Sequence, residues 1–403
     1  MAGPLAGIRV VDLTLMVAGP VATMMLGDQG ADVIKVEPPE GERMRHMRDS
    51  YAGLPPSFYS CNRSKRSLAL NLKDEAGKAA LRRLLATADV LVQNFRPGAI
   101  ERMGFGEAAV REIKPDIIFA SLSGFGESGP YVHQRVYDPV IQALCGLADI
   151  QTDRDTGRPK MVRTVIPDKT TSVTAAQAIT AALFHRERTG EGQHIRLSML
   201  DTMIAYLWPE GMAGLTYVGR ETDPAKAQMG LDLVFETKDG FITAGAVADA
   251  EWAGMARAFG RPELIDDPRF RTATDRAEHI VDRRAVMSEE VAKWSTEDIL
   301  ARLAAEDVPC APIRRRQELM DDPQIVENGI LVTDHHPGIG PVRQPRPAAR
   351  FDRSPSRIHR AAPFLGENSR EILAEIGYGD DEIEGLIADG AVTARDPGTT
   401  ADG

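Results

Sequence analysis

Two short β-branched runs open the chain, residues 8–13 and 32–37, and the segment between them, 20–29, carries a helical period behind Pro20. Proline suits the first turn of a helix because its missing N–H would have no partner there, so the three segments predict one βαβ unit. The alternation continues with a helix over 74–87, a strand over 89–95, a turn at Pro97-Gly98, a short helical stretch and a strand over 116–122. Strands separated by helices predict a parallel sheet covered on its faces. An alanine-rich helix over 169–188, stopped by Gly190 and Gly192, and a strand over 194–198 complete this first unit.

The pattern then changes. Residues 200–228 are mixed and glycine-punctuated, and 231–247 read as a hairpin around Lys238-Asp239-Gly240 that starts a smaller α+β unit. Helices bearing Trp252 and Trp294 follow, then a strand over 308–313. Residues 335–362 hold most of the late prolines and read as an extended linker. Helical periods return at 369–376 and 381–388, expected to pack back on the first unit. The fold class is α/β: a large parallel-sheet domain over 1–200, a linker over 201–228, a small domain over 229–334, a second linker over 335–362, and a return to the large domain over 363–403.

Length agrees with two domains, because 403 residues exceed one comfortable core. Hydrophobic residues at 43% and charged residues at 27% are ordinary for a globular enzyme and argue against long disorder or a membrane protein. A net charge of −11 repels a nucleic-acid backbone, leaving room for at most a local basic pocket around one phosphorylated ligand. Cys61, Cys145 and Cys310 are far apart and odd in number, which gives neither a disulfide framework nor a zinc pair and fits a reducing compartment. Met1-Ala-Gly-Pro-Leu5 lacks a basic, apolar leader, and no stretch approaches the roughly 20 apolar residues of a membrane span. The expected location is the cytoplasm.

Gly124-Phe-Gly126-Glu-Ser-Gly129 matches the dinucleotide pattern, but Pro130 and Tyr131 stand where the phosphate-binding helix should run, so a structural glycine turn is expected. No P-loop, zinc-protease, serine-elbow or EF-hand pattern is present, and His335-His336 lacks a third ligand nearby, so no metal site is expected. Ligands of open α/β sheets bind outside the carboxyl ends of the strands, which directs attention to loops 14–18, 94–98 and 122–137. There Arg96, Arg102 and Arg135 are either phosphate contacts or solvated surface. Asp168, between the run 164–166 and the helix over 169–188, reads as a helix N-cap; a carboxylate at a helix start is equally a poised nucleophile with N–H donors waiting for an oxyanion.

The ordered set Leu5-Ala-Gly-Ile-Arg-Val-Val-Asp12, Ala18-Gly-Pro20, the run from Leu26 to Glu37, Asn62-Arg-Ser-Lys-Arg66, Asn94-Phe-Arg-Pro-Gly98, 123–130, Pro167-Asp-Lys169, 186–193, Ser198-Met-Leu-Asp201 and Leu365-Gly-Glu367 resembles the class III CoA-transferase family. The resemblance runs nearly end to end. It implies a Rossmann-like large domain built from both chain ends, an interlocked homodimer, and a CoA thioester as substrate with no permanently bound cofactor. It implies Asp168 as nucleophile, with Tyr137 and Asp138 in support. It also implies CoA contacts at Val17, Ala18, Leu70, Asn71, Leu72, Lys73, Asn94, Phe95, Arg96, Arg102, Arg135 and Tyr137. Pro38 departs from the pattern, standing where some members place an arginine near the adenine.

The reaction so implied moves CoA from an acyl-CoA donor to a carboxylic acid acceptor, through an acyl-aspartyl anhydride and an aspartyl-CoA thioester. Two alternatives stand beside it. An α-methylacyl-CoA racemase of the same fold would want a histidine where this chain has Tyr137, and a phenol with an ordinary pKa near 10 is a poorer base at neutral pH. A non-catalytic acyl-CoA-binding protein would have kept the fold without the chemistry. Specificity is expected from loops 44–51, 206–217 and 244–248. Thr243-Ala-Gly-Ala-Val-Ala248 offers no clear counterpart of a glycine-rich lid, so oxalate is not assigned as acceptor.

Overall fold

A computed structural model describes residues 2–47, 53–153, 156–222 and 233–396. Parts of the expected specificity loop 44–51, of the linker 201–228 and of the hairpin 231–247 therefore lie outside the described residues. The chain divides into two compact units, Met1–Trp208 with Glu327–Gly403, and Pro209–Val326.

The first unit is organised around a seven-stranded sheet. Its strands are β1 (Arg9–Asp12), β2 (Asp32–Glu37), β3 (Lys65–Leu70), β4 (Val90–Gln93), β5 (Ile118–Ser123), β6 (His194–Ser198) and β12 (Val392–Thr393), in the order β12-β3-β2-β1-β4-β5-β6. All pairs are parallel except β12 with β3. The order reverses between β1 and β4, and in open α/β sheets ligands bind at such a switch point, outside the carboxyl ends of the strands.

Consecutive residues along each strand enter opposite cores, as a period of two requires. Val10, Val33, Val90 and Ile118 face the layer of α1 (Ala18–Asp28) and α5 (Ile166–Thr189). Val11, Ile34, Leu91 and Phe119 face α3 (Glu75–Ala86) and the C-terminal helices α9 (Ser369–Glu375) and α10 (Asp380–Ala388). Burial on both faces is why these strands read as continuous β-branched runs rather than as alternating ones. Further helices of the unit include α2 (Pro56–Asn62), α4 (Asp138–Leu144) and α6 (Met199–Gly211), the last extending past Trp208.

The stretch expected to be an extended linker is partly ordered into a hairpin, β10 (Leu331–His336) with β11 (Gly340–Pro345). Proline is tolerated in such an isolated ribbon because one side of each strand has no ladder partner. The hairpin is tied down by Arg63, whose guanidinium donates to Pro345 O at 2.7 Å while pairing with Asp28 at 2.8 Å.

The second unit contains β7 (Val234–Glu236), β8 (Phe241–Ala244) and β9 (Cys310–Pro312), antiparallel in that order, with the expected turn at Lys238-Asp239-Gly240. Helices α7 (Asp249–Phe259) and α8 (Thr296–Ala305) close its core around Trp252, whose indole N–H donates to Leu264 O at 3.0 Å. Among the described residues no helix is long and apolar enough to cross a membrane.

Candidate active site

The loop from β1 into α1 rests on buried charge. Asp12, at the end of β1, accepts from the Thr14 backbone N–H at 2.8 Å, from the Thr14 and Thr23 hydroxyls, and from the Lys65 ammonium at 2.9 Å. Burial opposes its ionisation, but Lys65, Lys35 and these hydrogen bonds outweigh it and hold the carboxyl well below the usual range. Lys35 donates to Thr14 O at 2.9 Å and pairs with Glu42 at 2.8 Å, and Glu42 accepts the Met16 N–H at 2.8 Å. Asn94, just past β4, grips the same loop twice: its amide oxygen accepts from Leu15 N–H at 2.8 Å and its amide nitrogen donates to Leu15 O at 2.9 Å. Held this way, Met16 takes a left-handed φ of 66° and the chain turns into the first turn of α1 at Ala18, two residues before the expected Pro20.

Asp168 is not an N-cap. Val165 occupies that place, and Asp168 is the third residue of α5, behind Pro167. The long helix starts earlier than expected because proline fits its first turn as readily as the residue before it. Asp168 is half-buried, and its own N–H donates to Asp138 Oδ2 at 3.2 Å. Burial first and the Asp138 carboxylate second push its carboxyl up to about 6, against a lowering contribution from the Ala18 N–H. The Ser172 hydroxyl lies 2.8 Å from both Ala18 O and Asp168 O, so the starts of α1 and α5 are fastened together.

Asp138, 3% exposed, is the first residue of α4. Its other oxygen accepts from Gln142 at 2.6 Å, while the Gln142 amide oxygen accepts the Val162 N–H at 2.9 Å. Gln142 escaped sequence reasoning. The available signal was its i, i+4 spacing from Asp138, which places the two on one helix face. Tyr137, the N-cap of α4, is 58% exposed, and its hydroxyl accepts from Arg43 at 3.1 Å.

The other positions singled out lie along the same carboxyl edge of the sheet. Val17 is the N-cap of α1, and Phe95 donates its N–H to Gln93 at 2.8 Å. Leu70 is buried in the core at the end of β3, leaving only backbone to a ligand; Asn71 donates its N–H to Ala391 O at 2.9 Å, Leu72 packs on the core, and Lys73 is exposed. Arg96, Arg102 and Arg135 are exposed, and no described side chain pairs with their guanidinium groups. The structure thus joins 15–18 to Asn94, and Ala18 to Asp168 and Asp138, but makes no direct link from these to the three arginines.

The glycine motif is structural: a Cβ on Gly124 would lie 2.3 Å from Val136 Cγ1, and no helix follows Gly129 until α4. Among the described residues no three His, Cys, Asp or Glu side chains gather as metal ligands would.

The sheet order 3-2-1-4-5-6 is that of an open α/β fold whose ligands bind at the switch point, and the starts of two helices bring Ala18 and Asp168 together near it. Residues 5–369 match the model of CoA-transferase family III, and the chain belongs to that family as an enzyme of its class, which uses CoA thioesters as substrates. It is 33% identical to succinyl-CoA:glutarate CoA-transferase of Mus musculus over 396 residues, 96% of this chain and 90% of that one. It is 33% identical to formyl-CoA:oxalate CoA-transferase of Escherichia coli over 418 aligned residues, covering 97% of this chain and 100% of that one. Among solved structures, a CAIB/BAIF family protein from Brucella suis superposes with a TM-score of 0.81 at 31% identity, covering 93% of this chain and 100% of that chain.

Proposed function

We propose that this enzyme moves CoA from an acyl-CoA donor to a carboxylic acid acceptor, with Asp168 as the residue that carries the acyl group. The observation that supports this most is the placing of the Asp168 carboxyl: half-buried, in a helix's first turn, facing the Ala18 N–H and raised to about 6. At neutral pH it is mostly ionised, and its raised basicity makes it a better nucleophile than an ordinary carboxylate.

An Asp168 oxygen attacks the thioester carbonyl, the C–S bond breaks, and CoA leaves as thiolate from an acyl-aspartyl anhydride. The thiolate then attacks the Asp168 carbonyl carbon, the anhydride C–O bond breaks, and the donor acid departs as carboxylate from an aspartyl-CoA thioester. The acceptor carboxylate runs both steps in reverse. Negative charge gathers on a carbonyl oxygen in each addition, and the Ala18 N–H at the start of α1 is placed to receive it. Asp138, fixed by Gln142, holds the Asp168 backbone and sustains the high basicity of its carboxyl.

CoA would lie along the carboxyl edge of the sheet, against Val17, Ala18, 70–73, Asn94, Phe95 and Tyr137, with unpaired Arg96, Arg102 and Arg135 as phosphate partners. The large domain is the unit of Met1–Trp208 with Glu327–Gly403, and the small domain lies within Pro209–Val326. The working form is an interlocked homodimer in the cytoplasm. Exposed Val173 and Phe184 on α5, with Tyr206 and Trp208 on α6, supply apolar surface for the second chain.

Asp168→Asn should lower CoA exchange by at least about 10³-fold, the scale of losing a covalent nucleophile. It should still bind CoA and sediment, like the wild type, at the mass of two chains. A variant with wild-type turnover would remove Asp168 from the mechanism, and a monomer would remove the dimer.

A further inference from the structure

Three polar side chains interrupt the otherwise apolar face of the sheet that carries Leu91 and Phe119. Gln93 at the end of β4 and Ser121 on β5 are buried and stand opposite each other in the ladder, and His194 opens β6. They form one string of hydrogen bonds. Gln93 Nε2 donates to Ser121 Oγ at 2.9 Å, Ser121 Oγ lies 2.8 Å from His194 Nε2, and Gln93 Oε1 accepts the Phe95 N–H at 2.8 Å. The string crosses three strands and ends on the main chain where β4 turns into the 94–98 loop.

The Phe95 N–H sets its direction. A backbone N–H can only donate, so the Gln93 oxygen faces Phe95 and its amide nitrogen faces Ser121. Ser121 accepts that hydrogen and gives its own to His194 Nε2, the only other partner its hydroxyl has among the described residues. The imidazole is then neutral, with its proton on Nδ1. An imidazolium would make Nε2 a second donor to Ser121 and leave the hydroxyl hydrogen without an acceptor. Burial first and Arg196 second hold the ring below its ordinary 6.5, with Arg111 adding to them and Glu127 and Glu107 opposing. An edge-to-face contact with Phe119, centroids 4.9 Å apart, fixes the ring's place.

Polar groups on a buried sheet face cost free energy that apolar side chains would not, so where this string ends is informative. It ends at the root of Asn94, whose amide grips Leu15 twice, of Phe95, which packs on the core, and of Arg96, whose guanidinium no described side chain pairs. We propose that His194 and Ser121 are positioning residues for CoA: acting through Gln93, they fix the point at which the 94–96 loop leaves the sheet. The inference rests on CoA lying against Asn94, Phe95 and Arg96. Three apolar side chains could fill the same space, but the Phe95 N–H would lose its acceptor and packing alone would set the loop.

Titration calorimetry of the full chain with free CoA tests this. His194→Leu should raise Kd about 3- to 10-fold, as expected for one hydrogen bond, and Ser121→Ala should do the same. His194→Gln, whose amide oxygen can take the Ser121 hydrogen, should bind within about twofold of the wild type. The double variant His194→Leu/Ser121→Ala should bind no more weakly than the weaker single one, because both changes cut one string. Melting curves show which variants fold, and the two His194 variants decide the matter if Ser121→Ala does not. Wild-type affinity in folded His194→Leu, an equal loss in His194→Gln, or additive losses in the double variant overturns the assignment and leaves the Asp168 mechanism standing. A wild type that binds no CoA would instead remove the parent reading.

Discussion

At Asp168, burial and the neighbouring Asp138 carboxylate raise the carboxyl from an ordinary 3.8 to about 6, and this gives pH dependence a definite sign. A raised carboxyl favours folding while it is protonated in both states, so that contribution is full below about pH 4 and is lost as pH rises through about 6. The ionised form that the proposed attack requires is therefore also the form that the fold tolerates less well. The pH profile of kcat/KM for the donor should fall about tenfold per pH unit below about 6, because it reports groups of the free enzyme. Thermal melting of Asp168→Asn should exceed that of the wild type at pH 7.5 and match it near pH 4. A profile flat down to pH 4 would contradict the placing of this carboxyl. From the sequence, Asp168 was singled out through its family pattern. Its position inside the first helical turn was not legible, since Pro167 is compatible with either end of that turn, and Gln142 gave no signal beyond its spacing.

At the scale of elements, the site depends on charges buried within strands. Lys65 starts β3 and Asp12 ends β1; both side chains are 0% exposed and they meet at 2.9 Å. Removing one partner leaves the other charged and unpaired in the interior, so Lys65→Met should destabilise the first unit by about 3–5 kcal/mol, read as a lower urea midpoint. It should also loosen the first turn of α1, because Lys65 donates to Pro20 O at 2.8 Å as well. An unchanged midpoint would show that the pair carries little of the loop's support. The strands themselves were legible from β-branched runs such as Val10-Val11 and Val33-Ile34. The network of Asp12, Lys35, Glu42 and Lys65 was not, because charged residues in a sequence read as solvent-facing unless a partner is known. The hairpin over 331–345 was hidden for the opposite reason, since Pro337, Pro341 and Pro345 argue against a ladder that nonetheless forms as an isolated ribbon.

Across the whole molecule, the large sheet draws on both ends of the chain. Helices α9 and α10 cover the face of α3, and β12 pairs antiparallel with β3 at the sheet edge. The helical periods at 369–376 and 381–388 predicted that return, and the βαβ rhythm predicted the parallel sheet. The two-residue strand β12 was too short to leave a pattern. Strand order brings Asn94 beside Leu15 across the β1–β4 switch point, and helix packing brings Asp168 beside Ala18, contacts between residues 79 and 150 positions apart that no local pattern encodes. What these long-range contacts assemble is one carboxyl with an N–H donor at hand, and the central claim is that this carboxyl becomes covalently acylated. Peptide mass spectrometry after incubation with a panel of acyl-CoAs and hydroxylamine tests that claim directly, because hydroxylamine converts an activated carboxyl to a stable hydroxamate. The account predicts a hydroxamate on Asp168 that depends on the acyl-CoA supplied. Exchange of CoA between acids with Asp168 left unmodified, or α-proton exchange into deuterated water without any adduct, would contradict it.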